Sequence, residues 1–134
     1  MLNNQQIIQY RIQKSWDTYG DAKSLVESKR YTSILNRIYY ACFYMVLALL
    51  LTKNLSSSKH SGVKSLFNKD FVNQGIVDKK WGSFYSTLFL FRQVVDYEDL
   101  RSIPLDTIIL YFNMTFEFLK EIESFINKST NPNS

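Results

Sequence analysis

Ile38-Tyr39-Tyr40-Ala41-Cys42-Phe43-Tyr44-Met45-Val46-Leu47-Ala48-Leu49-Leu50-Leu51 decides the fold. These 14 residues carry no charge, with Arg37 before them and Lys53 after. A bilayer span needs about 20 apolar residues, and three of these are tyrosines. The run also lies mid-chain, unlike a secretory leader. It therefore reads as a core helix covered on several sides. The whole chain has 134 residues, enough for a single domain with one core, and its four Gly and two Pro leave few signals for strands and tight turns. The class expected is all-α.

Outward from that run, the helical spacing of Ile7, Ile8, Arg11, Ser15, Tyr19, Ala22 and Val26, with Leu25 beside them, predicts a first helix over 3–28, capped by Asn3 or Asn4. The central helix is expected over 29–53, with Asn54 suited to end it. After the polar Ser56-Ser57-Ser58, a short helix is predicted over 61–73. It ends near Gly75, with Val63, Leu66, Phe67 and Phe71 facing inward. Asp78 is a good cap for a fourth helix through Trp81, Tyr85, Leu88, Arg92 and Val95. The acidic Asp96-Tyr97-Glu98-Asp99 breaks its pattern. Pro104 suits the first turn of a last helix, whose stripe is Ile108, Ile109, Phe112, Phe116, Leu119, Ile122 and Ile126. The expected architecture is an antiparallel up-and-down bundle of four long helices plus one short one. It forms a single domain over 1–128 with a frayed tail over 129–134.

The net charge of +4 is uneven, +7 over residues 1–80 and −3 over 81–134. A basic bias of this size supports binding to a polyanion and equally describes an ordinary solvated surface. Cys42, the single cysteine, sits in the apolar run and reads as a buried, inert thiol. No intrachain disulfide is possible, which fits a reducing, cytoplasmic location.

Two arginines stand in or beside apolar helical runs, Arg37 before Ile38 and Arg92 after Phe91. An uncompensated buried charge costs several kcal/mol, so both need partners, and a shared polar cleft would provide them. Arg30, Arg37, Tyr40 and Tyr44 fall on one face at helical spacing, as do Trp81, Tyr85, Leu88, Arg92 and Asp96. Arg92 and Asp96 are four apart and suited to pair. His60, the only histidine, lies in a Ser/Lys loop and by itself reads as a capping or surface residue. Ser61 and Gly62 ahead of a helix would expose N–H groups to an anion. The chain shows no metal-ligand spacing, nucleophile elbow or dinucleotide fingerprint, so neither a metal nor a cofactor is expected.

Four pieces in order carry a resemblance: Arg37-Ile38-Tyr39-Tyr40-Ala41-Cys42-Phe43, Lys59-His60-Ser61-Gly62-Val63, Phe67-Asn68-Lys69-Asp70-Phe71-Val72 and Arg92-Gln93-Val94-Val95-Asp96-Tyr97. Together with the flanking helices they resemble a HEPN domain (higher eukaryotes and prokaryotes nucleotide-binding) of the small, stand-alone prokaryotic kind. The resemblance implies a helical bundle that forms a homodimer, with the arginine-bearing helices lining a shared cleft. It also implies a minimal nucleotidyltransferase as antitoxin partner. Members with an arginine followed after four to six residues by histidine resemble metal-independent ribonucleases. Carried onto this chain, the motif arginine is Arg92. The histidine window falls on Tyr97, Glu98 and Asp99, none of them histidine.

RNA cleavage through the 2′-hydroxyl needs a proton acceptor, a donor to the leaving oxygen, and positive charge for the phosphorane. Arg92 and Arg37 can supply the charge. Tyr97, with an ordinary pKa near 10, is a poor base, whereas Asp96, Glu98 or a cleft-facing His60 can accept a proton. The expected catalytic set is Arg92, Asp96 and Tyr97, and the RNA- or nucleotide-binding set is Arg37, Tyr40, His60 and Arg30. The function expected is a nucleotide- or RNA-binding or regulatory component of a toxin–antitoxin-like HEPN–nucleotidyltransferase pair, without a membrane partner. The alternatives are an active ribonuclease toxin and a helical adaptor whose arginines only close internal ion pairs.

Overall fold

The computed structural model describes residues 1–97 and 103–130, apart from the side chains of Asp96 and Tyr97. Helix α1 (Asn4–Glu27) opens on a capping box: Asn3 Oδ1 accepts the Gln6 N–H and Gln6 Oε1 accepts the Asn3 N–H, both at 2.9 Å. Ile8, Ile12, Ser15, Thr18 and Ala22 form its buried stripe. The helix ends at Glu27, within one residue of the expected bound, with Ser28 as its cap. Lys29 adopts φ 59°, Arg30 N–H bonds Leu25 O at 2.8 Å, and Lys29 N–H bonds Val26 O at 3.1 Å. This is a Schellman end with lysine where glycine is usual. A short 3₁₀ turn (Tyr31–Ser33) follows, so α2 spans Ile34–Leu51 and does not begin at Lys29. Arg30 thus stands outside the helix, and the helical register expected between it and Arg37 does not hold. Asn54, at φ 59°, closes the end of α2 in the same way.

Eleven residues of α2 are buried, among them Ile38, Tyr39, Cys42, Met45 and Leu49. With the preceding turn it is, among the described residues, the one stretch long and apolar enough to cross a bilayer, and most of it is enclosed by the bundle. Its neighbours are α1, α4 (Lys79–Tyr97) and α5 (Leu105–Thr130). Side-chain pairing gives the directions. Arg11 and Ser15 of α1 bond the carbonyls of Leu47 and Ala41, so α1 and α2 run antiparallel. Trp81 and Phe84 of α4 meet Phe118 of α5, whereas Phe91 meets Tyr111, so these two are antiparallel as well. The four long helices form the up-and-down bundle expected, with no strand among the described residues. Asp78 caps α4 through Lys80 N–H at 2.9 Å, and α5 begins just after Pro104 and runs two residues past 128. Residues 131–134 of the expected tail lie outside the described residues.

The short helix is two structures joined. Helix α3 (His60–Phe67) passes into one π-helical turn (Asn68–Val72), which Gly75 ends at φ 77°. Lys53 fixes that turn, donating to Asp70 O at 2.8 Å and standing 4.5 Å from the centre of the Phe71 ring. Gly82 of α4 packs against it so closely that a Cβ would lie 2.9 Å from Val72 Cγ1. At the other end of α3, a Cβ on Gly62 would collide with Ser57. The serine loop therefore folds tightly over the start of α3, where His60 is the first helical residue.

Candidate functional site

Helix α2 presents Tyr39 inward and Tyr40 and Phe43 to a partly open side. Tyr39 is fully buried, and Tyr40 and Phe43 are half-buried. Arg92 of α4 crosses this group, its guanidinium carbon 5.3 Å from the Tyr39 ring centre and 5.4 Å from that of Tyr40. Arg37 stands 5.6 Å from the same Tyr40 ring. Its Nε and Nη2 both donate to Asn36 Oδ1, at 3.0 and 2.7 Å. The two cations from different helices therefore meet on one tyrosine. Each contact of this kind contributes roughly 0.5–2 kcal/mol, depending on desolvation.

His60 joins them from α3. It does not sit on the surface as a cap: its ring stacks on Phe43 with centres 4.4 Å apart, and Nδ1 lies 2.8 Å from the Tyr39 hydroxyl. Burial, and then the charge of Arg92, hold the His60 pKa below its ordinary value. Tyr39 is pushed up to about 12, chiefly by burial, with the Tyr85 hydroxyl and Arg92 pulling the other way. At neutral pH both groups are uncharged. Nε2 of His60 is then a donor in one tautomer and a base in the other, beside a guanidinium able to offer a planar fork to phosphate.

Of the expected residues, the fold gathers Arg92, His60, Tyr40 and Arg37. Arg30 joins them only through Arg37, with which it lines a cavity of about 460 Å³ beside Asp21, Ser24, Leu25 and Ser28. The side chains of Asp96 and Tyr97, and residues Glu98 and Asp99, lie outside the described residues. Tyr39 and Phe43 were missing from the expected set. Their only sequence signal was that they lie within the Arg37–Phe43 piece, where an aromatic side chain is equally a core residue. Cys42 is fully buried, and burial raises its thiol far above the ordinary value. Among the described residues no three His, Cys, Asp or Glu side chains group to hold a metal.

The HEPN domain family model matches residues 8–130. A UPF0332 protein of Thermotoga maritima is 41% identical over 126 residues, covering 94% of this chain and 96% of that protein. Two proteins of Methanocaldococcus jannaschii bear the name "Putative toxin". One is 39% identical over 90 residues, 67% of each chain. The other is 36% identical over 87 residues, 65% of this chain and 59% of the relative.

Proposed function

From the premise that this chain belongs to the HEPN domain family, we propose that it is a toxin-type, RNA-binding protein. It works in the cytoplasm as a homodimer, paired with a minimal nucleotidyltransferase. The observation that carries the RNA reading is the meeting of Arg37 and Arg92 on Tyr40, with His60 bonded to Tyr39 beside them. A phosphate entering there meets two guanidinium groups, and an adjoining base meets the half-buried Tyr40 and Phe43. The names of the Methanocaldococcus relatives support the toxin part of the reading.

The test is binding of single-stranded RNA by the purified protein in EDTA across a salt series. Wild type binds with salt-sensitive affinity. Arg92→Ala, folded by circular dichroism, loses about tenfold or more. Unchanged RNA affinity in that variant, or binding of free nucleotides but not RNA, would contradict the proposal.

A second reading, metal-independent cleavage, is favoured by the neutral His60 beside Arg92. Nε2 would take the 2′-hydroxyl proton as that oxygen attacks phosphorus, and Arg92 would stabilise the phosphorane. The P–O5′ bond would break to leave a 2′,3′-cyclic phosphate, the 5′-oxygen receiving a proton from the His60 imidazolium or from water. Cleavage in EDTA that disappears in both His60→Ala and Arg92→Ala would establish it. RNA left intact, but bound, would leave the binding role alone.

A further inference from the structure

We infer that the surface from Tyr40 through Tyr44 and Lys14 to Tyr10 is a stacking track for single-stranded RNA, which holds the nucleotides flanking the phosphate at Arg92 and His60. This rests on the RNA reading above and adds the class of strand. Tyr40 and Tyr44 lie one turn apart on α2, half-buried, with ring centres 6.0 Å apart. Antiparallel packing brings α1 alongside. Lys14 Nζ stands 4.7 Å from the Tyr44 ring centre and 5.8 Å from that of Tyr10, a residue 61% exposed. The order is therefore two arginines on Tyr40, then the Tyr44 ring, then Lys14 between Tyr44 and the exposed Tyr10.

Tyr40 packs in part against the core, but core packing does not account for Tyr44 or for the exposed Tyr10. The α2 residues that fill the core beside these tyrosines are Ala41, Cys42 and Met45, all fully buried, whereas Tyr40 and Tyr44 keep part of their surface open. Single strands offer base faces to such rings and phosphates to the cations between them. The flexible stem of Lys14 lets its ammonium move from the Tyr44 ring to a phosphate when a base takes its place. A duplex conceals its base faces within the stack and cannot offer them to these rings.

The experiment compares a labelled 12-nucleotide single strand, the same sequence as duplex, and a trinucleotide that reaches only the Arg92 site. The first two are read by fluorescence anisotropy and the third by NMR. The single strand is expected to bind at least tenfold tighter than the duplex. Tyr44→Leu should weaken the 12-mer on the order of tenfold and leave the trinucleotide unaffected, while Tyr44→Phe retains wild-type binding. Lys14→Ala should lower the slope of log affinity against log salt by about 0.7. Arg92-dependent binding of both single strands, unaltered by Tyr44→Leu, would overturn the track and leave the RNA site standing. Equal affinity for duplex would also overturn it. Failure of any RNA to bind would overturn both.

Discussion

His60 is held by the rings around it, Phe43 at 4.4 Å and Tyr40 at 5.7 Å among them, and by the Tyr39 hydroxyl, which can be removed by itself. Tyr39→Phe takes away the hydroxyl 2.8 Å from His60 Nδ1; loss of such a bond, with a polar partner left behind, should cost about 1–2 kcal/mol in chemical denaturation. The histidine also ties stability to pH. Its folded pKa lies below the ordinary 6.5, because of burial and Arg92, so below that value the unfolded chain takes up the proton first. Stability is then fully present above pH 6.5 and falls as pH drops from there towards the folded pKa, levelling off below it. Thermal melts should show this loss in wild type and a smaller one in His60→Gln. Arg92 and Tyr40 were legible in the sequence, because a cation at the end of an apolar helical run has to find a partner. The pairing of His60 with Tyr39 was not. The two residues are 21 positions apart, one in a serine-rich loop and the other in what reads as core.

At the scale of elements, close approach decides what a glycine can become. Gly20 of α1 has nothing within 4 Å of where a Cβ would stand, whereas at Gly82 of α4 the Cβ would meet both methyls of Val72 and Asn68 Oδ1. Gly20→Ala should therefore raise stability by roughly 0.5–1 kcal/mol through helix propensity. Gly82→Ala should lower it by about 1–3 kcal/mol, since β-branched Val72 yields little. Opposite shifts in melting temperature would check the contrast, and equal ones would refute it. The long helices were legible because their apolar spacing persists over many turns and Asn3 and Asp78 are good caps. The π turn at Asn68–Val72 was not, since Val63, Phe67 and Phe71 also satisfy an ordinary helical spacing. Nor was the left-handed Lys29, where residue type gives no hint and the Leu25–Arg30 bond sets the geometry.

For the whole molecule, the bundle encloses an aromatic core and leaves Leu90 of α4 and Leu105 and Leu110 of α5 about half exposed or more. These are candidates for the subunit contact of the proposed homodimer. Light scattering should return twice the chain mass at micromolar concentration, and a strict monomer would count against the dimer. The central requirement is that Arg92 and His60 share one site. Because His60 is the only histidine, its imidazole protons can be followed by NMR through a pH titration without ambiguity. The midpoint should lie below 6.5 in wild type, move up in Arg92→Ala, and move up again when a single-stranded trinucleotide brings phosphate beside the ring. A midpoint at the ordinary value, the same with and without the arginine and unmoved by RNA, would contradict it.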